Sequence, residues 1–353
     1  MIDTIDLTLL RHPLKVPYKL AFGNLDAFDT VLAQVSLGGR TGIGEATILT
    51  GYTSETIEGT WAQSNAVARA LVGLDEKAAM AVLGTHSASN PFMDCMFRTA
   101  LDMANRHPVL ENRTESRVPL LFGLNPTDAP GIEAALDEAF AAGYGTVKVK
   151  AGFDLEKDLA RVGVIQRANA GRMKLRIDGN QGFDANDAVK FASEVAPDDI
   201  ELLEQPCHMD DWRGLAEVAK HGGVPLMLDE SIYQASDIDR AADIGAAFVK
   251  LKLMKMGSID ALAAGLKRIK SLGMDPVLGN GVASDIGCWM ELCVSRDLIG
   301  NAGEMNGFLR PRTSLVTEPL VVDDGAAVLP AGYWPKLDPG AVEKFSRETR
   351  HFN

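Results

Sequence analysis

The sequence predicts an α/β chain in which a closed, eight-stranded parallel β/α barrel is joined to a smaller α+β domain. Three observations predict it. Eight short apolar runs alternate with helical stretches between Val118 and Gly307. Seven polar residues, Lys150, Asp178, Glu204, Asp229, Lys252, Asn280 and Glu304, end or follow those runs at intervals of 23–28 residues, about the length of one strand, one helix and two short loops. The chain has 353 residues, more than the roughly 250–300 at which a single core stops growing.

From residue 1 to about 48 the pattern alternates, as in IDLTLLRHPL and FDTVLAQVSLGG, with a turn at Gly38 and Gly39. Alternation of period two reads as a small antiparallel sheet. Between Thr56 and Arg106 apolar residues recur at helical spacing. Strands followed by helices make an α+β unit distinct from what comes next. The strand-like runs are VPLLFGL from Val118, TVKVKAG from Thr146, LRIDGNQ from Leu175, ELLEQP from Glu201, LMLDES from Leu226, FVKLKLM from Phe248, DPVLGNG from Asp275 and AGEMNG from Ala302. Helical stretches such as GIEAALDEAFAAGYG and SIDALAAGLKRIKSLG separate them, each ending in a C-capping glycine. No Gly-rich phosphate fingerprint is present, which favours a barrel over an open doubly wound sheet. The segment around Trp289 reads as a core helix rather than an aromatic cage. The tail contains a hairpin-like VVDDGAAVLP.

Composition narrows the function classes. The net charge is −13 and no basic run is present, so nucleic acid is not an expected partner. Cys95, Cys207, Cys288 and Cys293 have neither zinc-type spacing nor the density of a disulfide scaffold. A reducing cytoplasm suits them. The first residues lack a signal-peptide pattern and no apolar stretch approaches about 18 residues, so no membrane association is expected.

The strand tips carry the chemistry. Asp178, Glu204 and Asp229 end three consecutive strands and so lie side by side on the rim where barrel active sites are built. Any one of them alone would as readily cap the helix that follows. Three together repel unless a cation joins them, and an all-oxygen donor set points to Mg2+. Lys148 and Lys150, two apart on one strand, point to the same side. Two adjacent ammonium groups lower each other's pKa, which would free one as a general base. Lys252 ends the sixth strand, opposite the second in an eight-stranded ring, and would face Lys150 from across the barrel. Spacing alone leaves Lys250 and Lys255 open as alternatives.

Taken together, GIGEA at Gly42, GYTSET at Gly51, VKVKAGF, LRIDGNQGF, LLEQP, LDES and KLKLMKMGS resemble the muconate lactonizing enzyme subgroup of the enolase superfamily over nearly the whole chain. The resemblance implies a modified TIM barrel, (β/α)7β, over residues 116–320, with an N-terminal α+β capping domain over residues 1–115 and the tail, residues 321–353, packing on that domain. It implies Mg2+ held by Asp178, Glu204 and Asp229, with Lys150 and Lys252 as the acid/base pair, which decides between Lys252 and Lys250. The reaction it implies is abstraction of the proton α to the carboxylate of a small substrate, through an ene-diolate. Lys148 would add positive charge beside that carboxylate. Asn180 and Gln205 are candidates to orient lysines or metal ligands, ordinary strand-end packing being the alternative. A homo-oligomer is also implied.

Substrate choice in such enzymes comes from two capping-domain loops, here about residues 16–26 and 47–55, and from the last two strand tips. The substrate-binding candidates are therefore Tyr18, Phe22, Tyr52, Asn280 and Glu304. Dipeptide epimerases of the subgroup carry Asp-x-Asp on the last strand where this chain has Glu304-Met305-Asn306, so a dipeptide ammonium would lose one charged partner. Glu304 followed by Gly307 is nearer to the cycloisomerases. The expectation is a racemase or epimerase of an amino-acid derivative, with muconate-type cycloisomerisation or syn-dehydration of a small carboxylic acid as the alternative. A Schiff-base aldolase would leave the three carboxylates without a role.

Overall fold

The computed structural model describes residues 1–20, 23–49 and 54–353, so Phe22 and Tyr52 lie outside the described residues. The alternating N-terminal pattern folds into β1 (Ile2–Leu20), β2 (Gly23–Leu37) and β3 (Arg40–Ile48), paired in that order as an antiparallel sheet. Gly38 and Gly39 make the tight β2–β3 turn with φ of +55° and +75°, a left-handed geometry that glycine adopts without strain. Three helices follow, α1 (Ile57–Leu71), α2 (Glu76–Gly84) and α3 (Pro91–Ala104). Helix α3 is buried nearly all round. It lies so close to β3 that a side chain at Gly42 or Gly44 would strike the Ala100 or Met96 carbonyl. Ile5, Leu7, Val31, Val35, Leu71, Phe92 and Phe97 fill the core between this sheet and its helices.

The barrel begins with β4 (Ser116–Pro119) and β5 (Phe122–Leu124) and continues as α4 (Ala129–Ala141), β6 (Thr146–Lys150), α5 (Leu155–Asn169), β7 (Lys174–Asp178), α6 (Ala185–Glu194), β8 (Ile200–Glu204), α7 (Trp212–His221), β9 (Leu226–Leu228), α8 (Ala235–Asp243), β10 (Phe248–Leu251), α9 (Leu253–Met256), α10 (Ile259–Ser271), β11 (Asp275–Leu278) and α11 (Asp285–Ser295). Strands β5 to β11 form one parallel sheet in sequential order. In each strand one set of alternate residues faces the outer helices and the other faces the barrel interior, so both faces are dry. Within the ring Leu202, Met227, Val277 and Phe248 pack as a plug. The chain ends with β12 (Val321–Asp323), β13 (Ala326–Leu329), α12 (Pro339–Phe345) and β14 (Ser346–Phe352). β12 pairs with β13 and β13 with β4, whereas β14 lines the outer edge of β1.

The eight apolar runs are realised differently at the two ends of the barrel. VPLLFGL is split between β4, which turns away to pair with β13, and the short β5. AGEMNG forms no strand: Gly303 makes a single parallel bridge to Leu120. It lacks the β-branched residues that favour a pleated strand, yet it closes the ring. Gly303 N donates to Pro119 O at 2.9 Å, Leu121 N to Gly303 O at 3.0 Å and Glu304 N to Leu278 O at 2.9 Å.

A buried arginine secures that closure. The register of β7 and β8 shifts between Leu175 and Arg176. Arg176, 0% exposed, donates Nε to Glu201 Oε2 at 2.6 Å, Nη1 to Ala302 O at 2.7 Å and Nη2 to Asn301 Oδ1 at 3.2 Å. It thus ties the third stave to the strandless eighth. The capping sheet is knitted to this end of the barrel by Lys15 N to Arg310 O and Arg312 N to Pro13 O, each 2.9 Å. Glu45 of β3 also accepts from Ser284 N at 2.8 Å and Gly287 N at 3.0 Å at the start of α11. Trp289 is fully buried in α11, edge-on to Trp334, as a core residue.

Arg176→Met is expected to cost about 3–5 kcal/mol, because it leaves Glu201 Oε2 and two acceptors at the closure without their donor while only Lys174 still meets Glu201 Oε1. Arg176→Met combined with Glu201→Met should recover a substantial part. Urea unfolding of both variants checks this, and equal losses in the single and double variants would show that the ion pair is not what matters.

Candidate active site

Parallel registry sets the site. Lys150 stands beside Asp178, and Asp178 beside Glu204, at the ends of β6, β7 and β8. Asp229 follows β9 and Lys252 follows β10. Lys150 Nζ lies 2.7 Å from Asp178 Oδ2 and 2.5 Å from Asn180 Oδ1. Lys252 Nζ lies 2.9 Å from Asp229 Oδ2. The two lysines therefore hold opposite ends of the arc Asp178, Glu204, Asp229. Deeper in the ring, Lys148 Nζ reaches Asp178 Oδ2 at 2.7 Å, Glu204 Oε2 at 3.0 Å and Glu304 Oε2 at 3.1 Å. Lys250 Nζ reaches Glu204 Oε1 at 3.1 Å, Asp229 Oδ2 at 3.5 Å and Glu304 Oε2 in a very short contact. Lys255 adds contacts of 2.9 Å to Asp229 O and 3.2 Å to Asp229 Oδ1.

The electrostatics correct one expectation. Lys148 is not freed as a base by its neighbour. Burial alone would push the Lys148 ammonium down, but Asp178, Glu204 and Glu304 outweigh it and hold Lys148 well above the ordinary lysine range. Lys250 is raised in the same way by Glu204, Glu304 and Asp229. Burial would raise the Asp178 carboxyl, yet Lys148, Lys150 and Lys250 draw it down to about 2. Glu204 goes the other way, pushed up by burial and by its neighbour Asp178. Glu230, next in sequence to Asp229, is pushed up to about 7 by burial and by Asp229.

Five lysines, at 148, 150, 250, 252 and 255, thus face five carboxyl groups, at 178, 204, 229, 230 and 304. Ammonium groups stand between the carboxylates, and among the described residues no three side chains are grouped as metal donors. The donor chemistry of Asp178, Glu204 and Asp229 still fits a hard divalent cation, being all carboxylate oxygen on adjacent strand ends.

The supporting residues divide. Gln205 is fully buried; its Oε1 accepts from Asp229 N at 3.0 Å and Ser231 N at 3.2 Å, which fixes the backbone of the third carboxylate. Tyr18 lies under the Arg310 guanidinium, 4.6 Å from ring to Cζ, and packs on the cluster of Leu14, Phe28, Leu49 and Val282. The Asn280 amide is already committed: Nδ2 donates to Glu291 Oε1 at 3.1 Å, and Oδ1 accepts from Val282 N and Ala283 N at 2.9 Å each. Glu304 meets Lys148 and Lys250 through Oε2. Sequence reasoning missed Glu45, Glu230, Glu291 and Arg310. For Lys250 a signal existed, since Lys-x-Lys occurs on both the second and the sixth strand. Among the described residues no helix is long and apolar enough to cross a membrane.

A family model described as enolase C-terminal domain-like matches residues 131–333. An aromatic dipeptide epimerase of Herpetosiphon aurantiacus is 32% identical over 302 residues, 80% of this chain and 83% of the relative. A chloromuconate cycloisomerase of Cupriavidus pinatubonensis is 28% identical over 335 residues, 88% and 89% of the two chains. A dipeptide epimerase from Cytophaga hutchinsonii, solved with Mg and the dipeptide D-Ala-L-Val, has a TM-score of 0.89 at 20% identity over 100% of both chains, a likeness of fold. Barrel and capping sheet are thus those of an enolase-like fold. The chain belongs to the enolase superfamily, in its muconate lactonizing enzyme subgroup.

Several buried carboxyls lie above the ordinary range: Asp102 at about 6, Glu55 and Glu230 at about 7 and Glu291 at about 8, each because of burial first. Each of these carboxyls therefore holds more of its proton in the folded than in the unfolded chain from about pH 4.5 upward, and its contribution to stability falls as pH rises to its folded value. Glu291→Gln should flatten the decline between pH 5 and pH 8. Melting temperatures measured across that range check it, and an unchanged slope would refute the assignment.

Proposed function

We propose that this enzyme removes the proton α to the carboxylate of an amino-acid derivative and returns a proton to either face, acting as a racemase or epimerase. The observation that carries the reading is the arc of carboxylates held at one end by Lys150 and at the other by Lys252. A neutral lysine takes the α-proton on its Nζ as the C–H bond breaks, and the electron pair passes into the carboxylate as an ene-diolate. The opposite lysine, as an ammonium, then donates its proton to the same carbon. Lys148 and Lys250, kept as ammoniums by Glu204 and Glu304, place fixed positive charge next to the developing dianion. Asn180 orients Lys150, and Gln205 orients Asp229.

In this reading Asp178, Glu204 and Asp229 hold Mg2+, which when bound supplies the further positive charge that offsets the growing negative charge on the substrate carboxylate. Charge balance supports it. A substrate carboxylate adds one negative charge, and a lysine acting as base gives up one positive charge. A divalent cation offsets both changes. Residues 1–115 serve as the cap and 116–320 as the barrel, and four buried free thiols fit a reducing cytoplasm. The epimerase relative supports amino-acid derivatives, dipeptides among them. Cycloisomerisation through the same ene-diolate is the second reading, favoured by the chloromuconate cycloisomerase relative.

Incubation in D2O with Mg2+ and pools of dipeptides, N-acyl amino acids and cyclic imino acids should deuterate the α-carbon of one pool. Lys150→Ala and Lys252→Ala should each lower that exchange by at least about 10²–10⁴-fold. Mass spectrometry and NMR read the result; exchange that survives in both variants would sink the two-lysine assignment, and silence across all pools would favour the cycloisomerase. Separately, excess Mg2+ should raise the melting temperature by about 2–5 °C. EDTA should reverse the shift, and Glu204→Gln should abolish it. No shift in the unaltered protein would remove Mg2+ from the reading.

A further inference from the structure

One fully buried carboxyl has no part in the chemistry above. Glu291 lies on α11, 0% exposed. Its Oε1 accepts Leu253 N at 3.3 Å and Asn280 Nδ2 at 3.1 Å, and its Oε2 has no partner among the described residues. Leu253 directly follows Lys252 and opens the short helix α9, so its N–H has no acceptor within the helix. Lys252 is the N-cap of α9 and its side chain makes no cap bond; its ammonium reaches Asp229 instead. Glu291 supplies the missing acceptor from behind. Through Asn280, whose Oδ1 takes Val282 N and Ala283 N, the same oxygen also holds the exit of β11. One carboxyl therefore joins the ends of the sixth and seventh strands directly beneath Lys252.

We propose that Glu291 is a positioning residue for Lys252, fixing the backbone on which that lysine stands rather than touching substrate. A carboxyl with an orphan oxygen in an apolar cavity, between Phe92, Cys95 and Met254 of one wall and Ala283 and Met290 of the other, is costly if packing is its only purpose. The charged and titratable groups around it are Glu45 and Lys252, with the thiols of Cys95 and Cys288. Burial and Glu45 push Glu291 up to about 8, so near neutral pH it is mainly a neutral acid, which glutamine closely imitates. The acceptor oxygen, not the charge, is what the position requires.

The proposal rests on Lys252 being a catalytic lysine, so its test needs no substrate. The full-length protein with Mg2+ is compared as wild type, Glu291→Gln and Glu291→Leu. Amide hydrogen exchange of Leu253 is followed with Leu251 as the internal reference. Acetic anhydride labelling of Lys252 is followed by mass spectrometry against Lys150. In Glu291→Leu, Leu253 exchange should quicken about five- to tenfold, the effect of losing one hydrogen bond. The ratio of Lys252 to Lys150 labelling should change about threefold or more. Glu291→Gln should leave both near wild type. The proposal is overturned if Glu291→Leu moves neither quantity, or if Leu251 and Lys150 move as far as Leu253 and Lys252, which would mark a general packing role. If instead Lys252→Ala leaves α-proton exchange intact, the catalytic reading fails while the labelling result stands.

Discussion

Two buried ammonium groups sharing two carboxylates are the constraint on which this molecule turns. Lys148 and Lys250 each contact both Glu204 and Glu304, so the second, fourth, sixth and eighth positions of the barrel meet at one point inside it. Desolvating any of these charges alone is expensive, and removing one partner leaves the others uncompensated. The arrangement therefore stands or falls as a unit. It keeps Asp178, Glu204 and Asp229 ionised or poised beside one another, and it leaves Lys150 and Lys252 at the rim as the two lysines on the outer ends of the arc.

The same network explains why the eighth position needs no strand. The segment around Gly303 has only a single bridge to the sheet. It is anchored from above by Glu304 on the two lysines and from below by Arg176 on Ala302 O and Asn301. Side-chain charge replaces part of the ladder that a pleated strand would have supplied. The cap is registered on this anchored side: β1 bonds to the backbone at Arg310 and Arg312, and Glu45 caps α11. Leu14, Phe28, Leu49 and Val282 fill the seam between them. Tyr18 packs on this seam and against Arg310.

Which parts of this were readable from the sequence follows from the range of the interactions involved. The strand beat and the same-side pairs Lys148/Lys150 and Lys250/Lys252 are local periodicities, and the structure keeps them. The alignment of Asp178 and Glu204 followed from parallel registry and is also present. What could not be read was long-range. The raised state of Lys148 depends on Asp178 and Glu204 and, farthest along the chain, on Glu304. The commitment of Asn280 depends on Glu291, which in sequence is an acidic residue in the middle of a mostly apolar helix. AGEMNG matched the beat of a strand but not its residue chemistry. Phe22 and Tyr52, named from loop position, lie outside the described residues.

In the proposed reading the eighth tip, and not the proton-transfer lysines, sets which group the substrate carries. Oε2 of Glu304 is neutralised by two ammonium groups, and residue 306 is a neutral amide whose Nδ2 is spent on Leu121 O while its buried Oδ1 has no partner among the described residues. Arg310 donates Nε to Gly281 O and keeps its guanidinium on this side of the cleft. An ammonium group seated here would find far less negative charge than two free aspartates present. An N–H donor of lower charge would meet the Asn306 oxygen at no such loss. In that reading Lys150 and Lys252 act on the α-carbon, while Glu304, itself held by Lys148 and Lys250, and Asn306 meet the group that the α-carbon carries.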